Sequence, residues 1–78
     1  MRAIQELGAG CWKCRTLAEN AALAVADAGV EAVIVKVRDL AEILRFDGVQ
    51  ALPALAIDGR VKISGRVPSA AEIRGLLV

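Results

Sequence analysis

Two periods of apolar and polar residues alternate along this chain, and each change of period marks a new element. Residues 2–7, RAIQEL, read as a short strand ending at Gly8. From Trp12 to Ala28 the spacing becomes helical. Leu17, Ala21, Ala24, Val25 and Ala28 recur three and four apart on one face, with Arg15, Glu19 and Asp27 away from it. Gly29 follows, the residue type that most readily takes the left-handed conformation closing a helix. Residues 30–37, VEAVIVKV, are β-branched and apolar enough to form a second strand. Asp39 and Glu42 have capping-box spacing, which predicts a short helix to about Phe46 with Leu40, Ile43 and Leu44 on its buried face. Asp47-Gly48 ends it. PALAI (53–57) and RVKIS (60–64) are strands joined by Asp58-Gly59, a pair suited to a two-residue turn in which both positions need φ > 0. A second capping box, Ser69 and Glu72, opens a terminal helix with Ile73, Leu76 and Leu77 inward. Gly75 inside that helix costs about 1 kcal/mol relative to alanine.

The order βαβαββα follows. A helical crossover makes the first two strands parallel and right-handed, and the hairpin adds two antiparallel strands. The expected fold is α/β, one domain over residues 1–78, with a four-stranded mixed sheet and helices on both faces. Repeats, linkers and low-complexity segments are absent. At 78 residues the chain is near the lower limit for unaided folding. Such a chain buries roughly 60 % of its unfolded surface, so the core is thin. Leu, Ile and Val fill it, because Trp12 and Phe46 are the only aromatics.

Charge changes the picture mainly by exclusion. Ten Lys and Arg against nine Asp and Glu leave a net charge of +1, with no basic stripe or aromatic platform for nucleic acid. The longest apolar stretch, residues 21–37, is interrupted by Asp27, Glu31 and Lys36 and falls short of a membrane span, which takes about 20 mainly apolar residues. MRAIQELG has no uninterrupted apolar region and does not read as a signal peptide. A cytoplasmic location is therefore expected. There a C-x-x-C pair is more often catalytic or metal-binding than a structural disulfide.

That pair is Cys11 and Cys14, in GAGCWKC (8–14), and the chain has no histidine. It falls where the first strand passes into the first helix. The first N–H groups of a helix have no internal partner, and the dipole adds about half a positive charge there. A thiolate at Cys11 gains from both, and Lys13 adds a small favourable charge. Thiols of C-x-x-C sites so placed fall from about 8.5 to roughly 3.5–7.5. Cys14 lies one turn further in, at a spacing that suits a disulfide. The asymmetry casts Cys11 as the nucleophile on a substrate disulfide and Cys14 as the thiol that resolves the mixed disulfide. Trp12, between them, either caps the core or lies on a substrate-facing rim.

The element order, C-x-x-C at the first strand–helix junction and LPAL at the hairpin together resemble the thioredoxin/glutaredoxin superfamily. The nearest likeness is to its very small redox-active disulfide proteins. LGAGCWKC and LPALAIDGRVKISGRVPS carry the resemblance, which covers nearly the full chain. It implies a thioredoxin-like fold and a disulfide oxidoreductase working by dithiol exchange, with no further cofactor. Pro53 corresponds to a proline held in cis beside the cysteines. The peptide from Leu52 into it would offer backbone groups to substrate, and Gly65 would line the third side of that groove. The partners implied are a disulfide-containing protein and an electron-donating reductase or dithiol, with the chain itself a monomer. Trp-Lys between the cysteines departs from the superfamily's usual Gly-Pro and Pro-Tyr, so no reduction potential carries over. The residues that hold glutathione in glutaredoxins are missing, which favours a protein disulfide. Larger thioredoxins bury a carboxylate near the second cysteine. By counting, Gln5 is the nearest position; Glu6 is the nearest acid and the candidate base.

The rival reading is a soft-metal carrier, in which two thiolates hold Cu(I), or arsenite with a third ligand. Residues 8–37 mimic small heavy-metal-associated domains, but the mimicry ends at Asp39, where this chain adds a helix. Structural zinc is weaker still, because it normally takes four ligands.

Overall fold

A single mixed sheet organises residues 1–78, all of which are described by a computed structural model. In chain order the elements are β1 (Arg2–Leu7), α1 (Trp12–Ala28), β2 (Ala32–Val37), α2 (Leu40–Ile43), β3 (Ala54–Ile57), β4 (Arg60–Ser64) and α3 (Ala70–Leu77). The strands lie in the order β2-β1-β3-β4. β1 and β2 run parallel, while β1–β3 and β3–β4 are antiparallel. This is the α/β architecture expected from the order of elements. No helix is long and apolar enough to cross a membrane.

Alternation along β1 divides the core in two. Ile4 joins Leu17, Ala21 and Ala24 of α1, Leu55 and Ile57 of β3, and Ile73 and Leu77 of α3. Leu7, of opposite parity, packs with Val37, Ala54 and Ile43 on the other face. So α1 and α3 cover one face, and the α2 region covers only part of the second. Local chemistry closes the elements where expected. Gly29 takes φ 68 and donates its N–H to the Val25 carbonyl. Asp58 and Gly59 both have positive φ, 51 and 83. Asp tolerates that conformation better than most residues. Its carboxylate is also held by the Ala3 N–H at 2.8 Å and Arg2 Nε at 2.6 Å.

Several expectations need correction. α2 is one turn, not a helix to Phe46, and one turn offers only one residue to the sheet. Ile43 takes that place at 2 % exposed, while Leu40 and Leu44 stand 61 % and 70 % exposed. Phe46 and Val49, from the segment after α2, complete the second cluster instead. Asp39 caps through the Ala41 N–H at 3.3 Å, without the reciprocal bond of a capping box. At α3, Ser69 accepts from the Glu72 N–H at 3.1 Å, but the Glu72 carboxylate pairs with Arg66. β2 begins at Ala32 because its partner β1 begins at Arg2, which pairs with it. β3 begins after Pro53, which has no N–H to donate.

Candidate active site

Backbone geometry places Cys11 at the start of α1. It is the N-cap, in extended conformation with φ −72 and ψ 177, and its side chain makes no capping bond. The thiol is exposed, whereas Cys14, three residues on, is 1 % exposed. Their sulfurs are 3.5 Å apart, as a reduced dithiol. The Cys11 thiol is held below its ordinary value, first by the Cys14 backbone N–H and then by the Cys14 side chain. Desolvation opposes this, and the Lys13 and Cys11 N–H groups add smaller favourable contributions. Helix-terminal amides thus supply the stabilisation, as the position of the motif suggested. What Lys13 supplies is its N–H; its ammonium sits over the Trp12 ring, 5.8 Å from the centroid.

Strand register gathers the remaining residues at the same end of the sheet. Leu7 pairs with Val37 on one side and Ala54 on the other, and Ala54 pairs with Ser64. The next residues outward are therefore Gly8, Arg38, Pro53 and Gly65, side by side around the loop that leads to Cys11. The Leu52–Pro53 bond is cis. The Gly65 N–H donates to the Pro53 carbonyl at 2.9 Å. Trp12 is 64 % exposed, so it caps no core, and Leu52 is exposed as well. Cys11 itself stands on open surface. A groove lies elsewhere, between α1 and β2, lined by Arg15, Ala18, Glu19, Ala22, Ile34 and Lys36.

Beneath the dithiol lies a charge pair. Glu6 has the parity of Ile4, so it points to the α1 face, and it is fully buried. Arg38 Nη1 donates to Glu6 Oε2 at 2.7 Å and lies 3.3 Å from the Gly8 carbonyl. A methyl group on Gly8 would meet both Cys14 Sγ and Glu6 Oε2, so thiol and carboxylate border one small space. Gln5, of opposite parity, turns away; its Oε1 accepts from the Gly59 N–H at 3.1 Å. The Arg38 guanidinium is held above its ordinary value, chiefly by Glu6, with Cys14 and Cys11 adding attraction.

Comparison with known proteins agrees with this geometry. A family model described as a thioredoxin domain matches residues 2–78. The chain belongs to the thioredoxin family. It is 44 % identical over 77 residues to a protein named thioredoxin from Methanothermobacter thermautotrophicus, an alignment covering 99 % of each chain. It is also 39 % identical over 74 residues to one of the same name from Methanocaldococcus jannaschii, covering 95 % of this chain and 84 % of that one. The thioredoxin family accounts for the dithiol, and the metal-carrier reading gains no support. No three His, Cys, Asp or Glu side chains gather anywhere in the fold where they could hold an ion.

Two residues of this thioredoxin-family site escaped the sequence reading, and the first is Arg38. Its signal was indirect. A carboxylate at a buried parity in a strand needs a cation, and the chain must bring one from elsewhere. Gly8 is the other. Its lack of a side chain leaves room for the Cys14 sulfur, which a Cβ would overlap. Gly8→Ala is thus expected to push Cys14 out of its seat, an over-packing cost of about 1–3 kcal/mol. Alkylation of the native reduced protein should modify Cys11 first, and in the variant both thiols at similar rates. Mass spectrometry of the alkylated chains reads this directly, and unchanged selectivity would show that the site absorbs the methyl group.

Proposed function

We propose that this chain is a thiol–disulfide oxidoreductase that reduces protein disulfides, with Cys11 as nucleophile and Cys14 as resolving thiol. One observation carries the reading: two sulfurs at 3.5 Å, one exposed and favoured as thiolate, the other buried. Exchange runs in two displacements. The Cys11 thiolate attacks one sulfur of the substrate disulfide; the substrate S–S bond breaks, and its other sulfur leaves as a thiolate. Cys14 then loses its proton and attacks Cys11 Sγ. The mixed disulfide breaks, the second substrate thiolate departs, and the Cys11–Cys14 bridge closes. Two electrons have passed to the substrate, and a reductase or dithiol donor returns them.

The other site residues fit around these steps. Glu6, bordering the Cys14 sulfur, is the acceptor for its proton. Trp12, Leu52 and Gly65 form the rim on which the substrate chain lies, with the Leu52 backbone paired to it and Pro53 seating that peptide beside the cysteines. An exposed thiol on an open surface suits a macromolecular disulfide better than a small molecule, which binds in a concave pocket. Relatives named thioredoxin point the same way. A reducing compartment such as the cytoplasm keeps the dithiol form available, and a monomer leaves the rim free.

A redox titration in dithiothreitol and glutathione buffers, followed by Trp12 fluorescence, tests the reading. A reversible two-electron transition between roughly −180 and −290 mV is expected. Absence of any reversible transition in that window, with Cu(I) bound by the reduced protein, would overturn it.

A further inference from the structure

Between α2 and β3, Phe46 and Val49 pack into the second core cluster, and the loop before Pro53 is tied by hydrogen bonds to one side chain. Residues 47–52 belong to no helix or strand, and none of them makes a backbone–backbone hydrogen bond. Their polar tether is Ser64, the last residue of β4. Ser64 Oγ accepts from the Gln50 N–H at 2.9 Å and from the Ala51 N–H at 3.1 Å. Its hydroxyl donates to the Ala51 carbonyl at 3.1 Å. A serine hydroxyl has one proton and two lone pairs, and all are committed here to two consecutive residues. The next residue reinforces the grip. Gly65 bonds the Pro53 carbonyl, and a side chain on it would meet Ala51 Cβ at 3.1 Å. The end of β4 thus holds residues 50, 51 and 53, on either side of Leu52.

We infer that Ser64 is a positioning residue for protein substrates: it sets the Leu52 backbone in the one geometry that a substrate strand can pair with. This rests on the reading of Leu52 as a substrate contact. The physical reason is the cost of ordering. A loop already fixed loses little freedom when a strand is laid against it, whereas a free loop must be ordered at the moment of binding. Ser64 bonds neither cysteine, so chemistry at the dithiol is independent of it. The three bonds also lie at the surface, where water replaces them when the hydroxyl is removed, so the fold survives the change.

The test compares two disulfides on wild type, Ser64→Ala and Ser64→Thr. Insulin supplies a protein disulfide, with dithiothreitol as regenerating donor. Dithiodipyridine supplies a small disulfide that needs no strand pairing. Ser64→Ala should raise KM for insulin about three- to ten-fold with kcat retained, the size expected for one lost ordering contact. Its rate with dithiodipyridine should match wild type, and Ser64→Thr, which keeps the hydroxyl, should restore the insulin KM. An unchanged insulin KM in Ser64→Ala, with wild type active, would overturn the role of Ser64 alone. Equal losses with both disulfides would also overturn it, since the effect would then be on the fold. A wild type that reacts with dithiodipyridine and not with insulin would remove the protein-substrate reading and this inference together.

Discussion

Cys14→Ser is expected to accumulate a covalent complex with a disulfide-bearing protein, and Cys11→Ser to form none. The two thiols differ in access and not only in order along the chain. Cys11 is exposed at the head of α1, while Cys14 is enclosed beneath Gly8. Serine at position 14 leaves the first displacement intact and removes the second, so the mixed disulfide through Cys11 persists. Non-reducing electrophoresis shows it as a band that dithiothreitol collapses. Turnover falls to the uncatalysed background in both variants, so trapping, not rate, separates the roles. A complex trapped through Cys14 instead would reverse them.

The same experiment has a pH dependence with a definite sign. The amide and side chain of Cys14 favour the Cys11 thiolate and hold its pKa below the ordinary value. Alkylation of Cys11 needs that thiolate. Its rate should therefore be lost as pH falls through a midpoint below the 8.5 or so of a free cysteine. A midpoint at or above that value would show that the helix terminus does not activate the thiol.

Arg38→Met is expected to cost more stability than any surface substitution. Glu6 is fully buried, and Arg38 is its cationic partner at 2.7 Å. Removing one member of a buried pair leaves an uncompensated charge, a loss of about 3–5 kcal/mol. The Arg38 side chain is 36 % exposed, so water screens the pair and the lower end of that range applies. At roughly 4–8 °C per kcal/mol for a domain of this size, melting should fall by more than about 10 °C. The double variant Glu6→Leu/Arg38→Met should recover most of the loss, because a buried pair replaced by apolar groups is often neutral. Thermal unfolding of the reduced proteins checks both. A change within about 2 °C for Arg38→Met would mean that Glu6 is served by water, and a double variant as unstable as the single would mean that Arg38 stabilises by packing.

What is legible in the sequence follows the range of the interactions involved. α1 was legible to both ends, because a period of three to four residues and a following glycine are local signals. So was the Asp58-Gly59 turn, where two adjacent residues carry the whole conformational demand. α2 was misread for the same reason in reverse. Its apolar spacing is helical, but Leu40 and Leu44 had no surface to bury against once one turn had placed Ile43 on the sheet. Glu6 over Gln5 follows from strand parity with Ile4, which is written in the sequence. Counting from the cysteines pointed to the wrong member of the pair.

By itself, then, the sequence determined the order of elements, the hairpin turn and the place of Cys11 at a helix N-terminus. All of these depend on residues within a few positions of one another. The tertiary structure alone decided what surrounds the dithiol. Arg38 reaches Glu6 across 32 positions, and Ser64 reaches Ala51 across 13. Such partners are chosen by strand register, which is set by packing over the whole sheet and leaves no mark in any short stretch of residues.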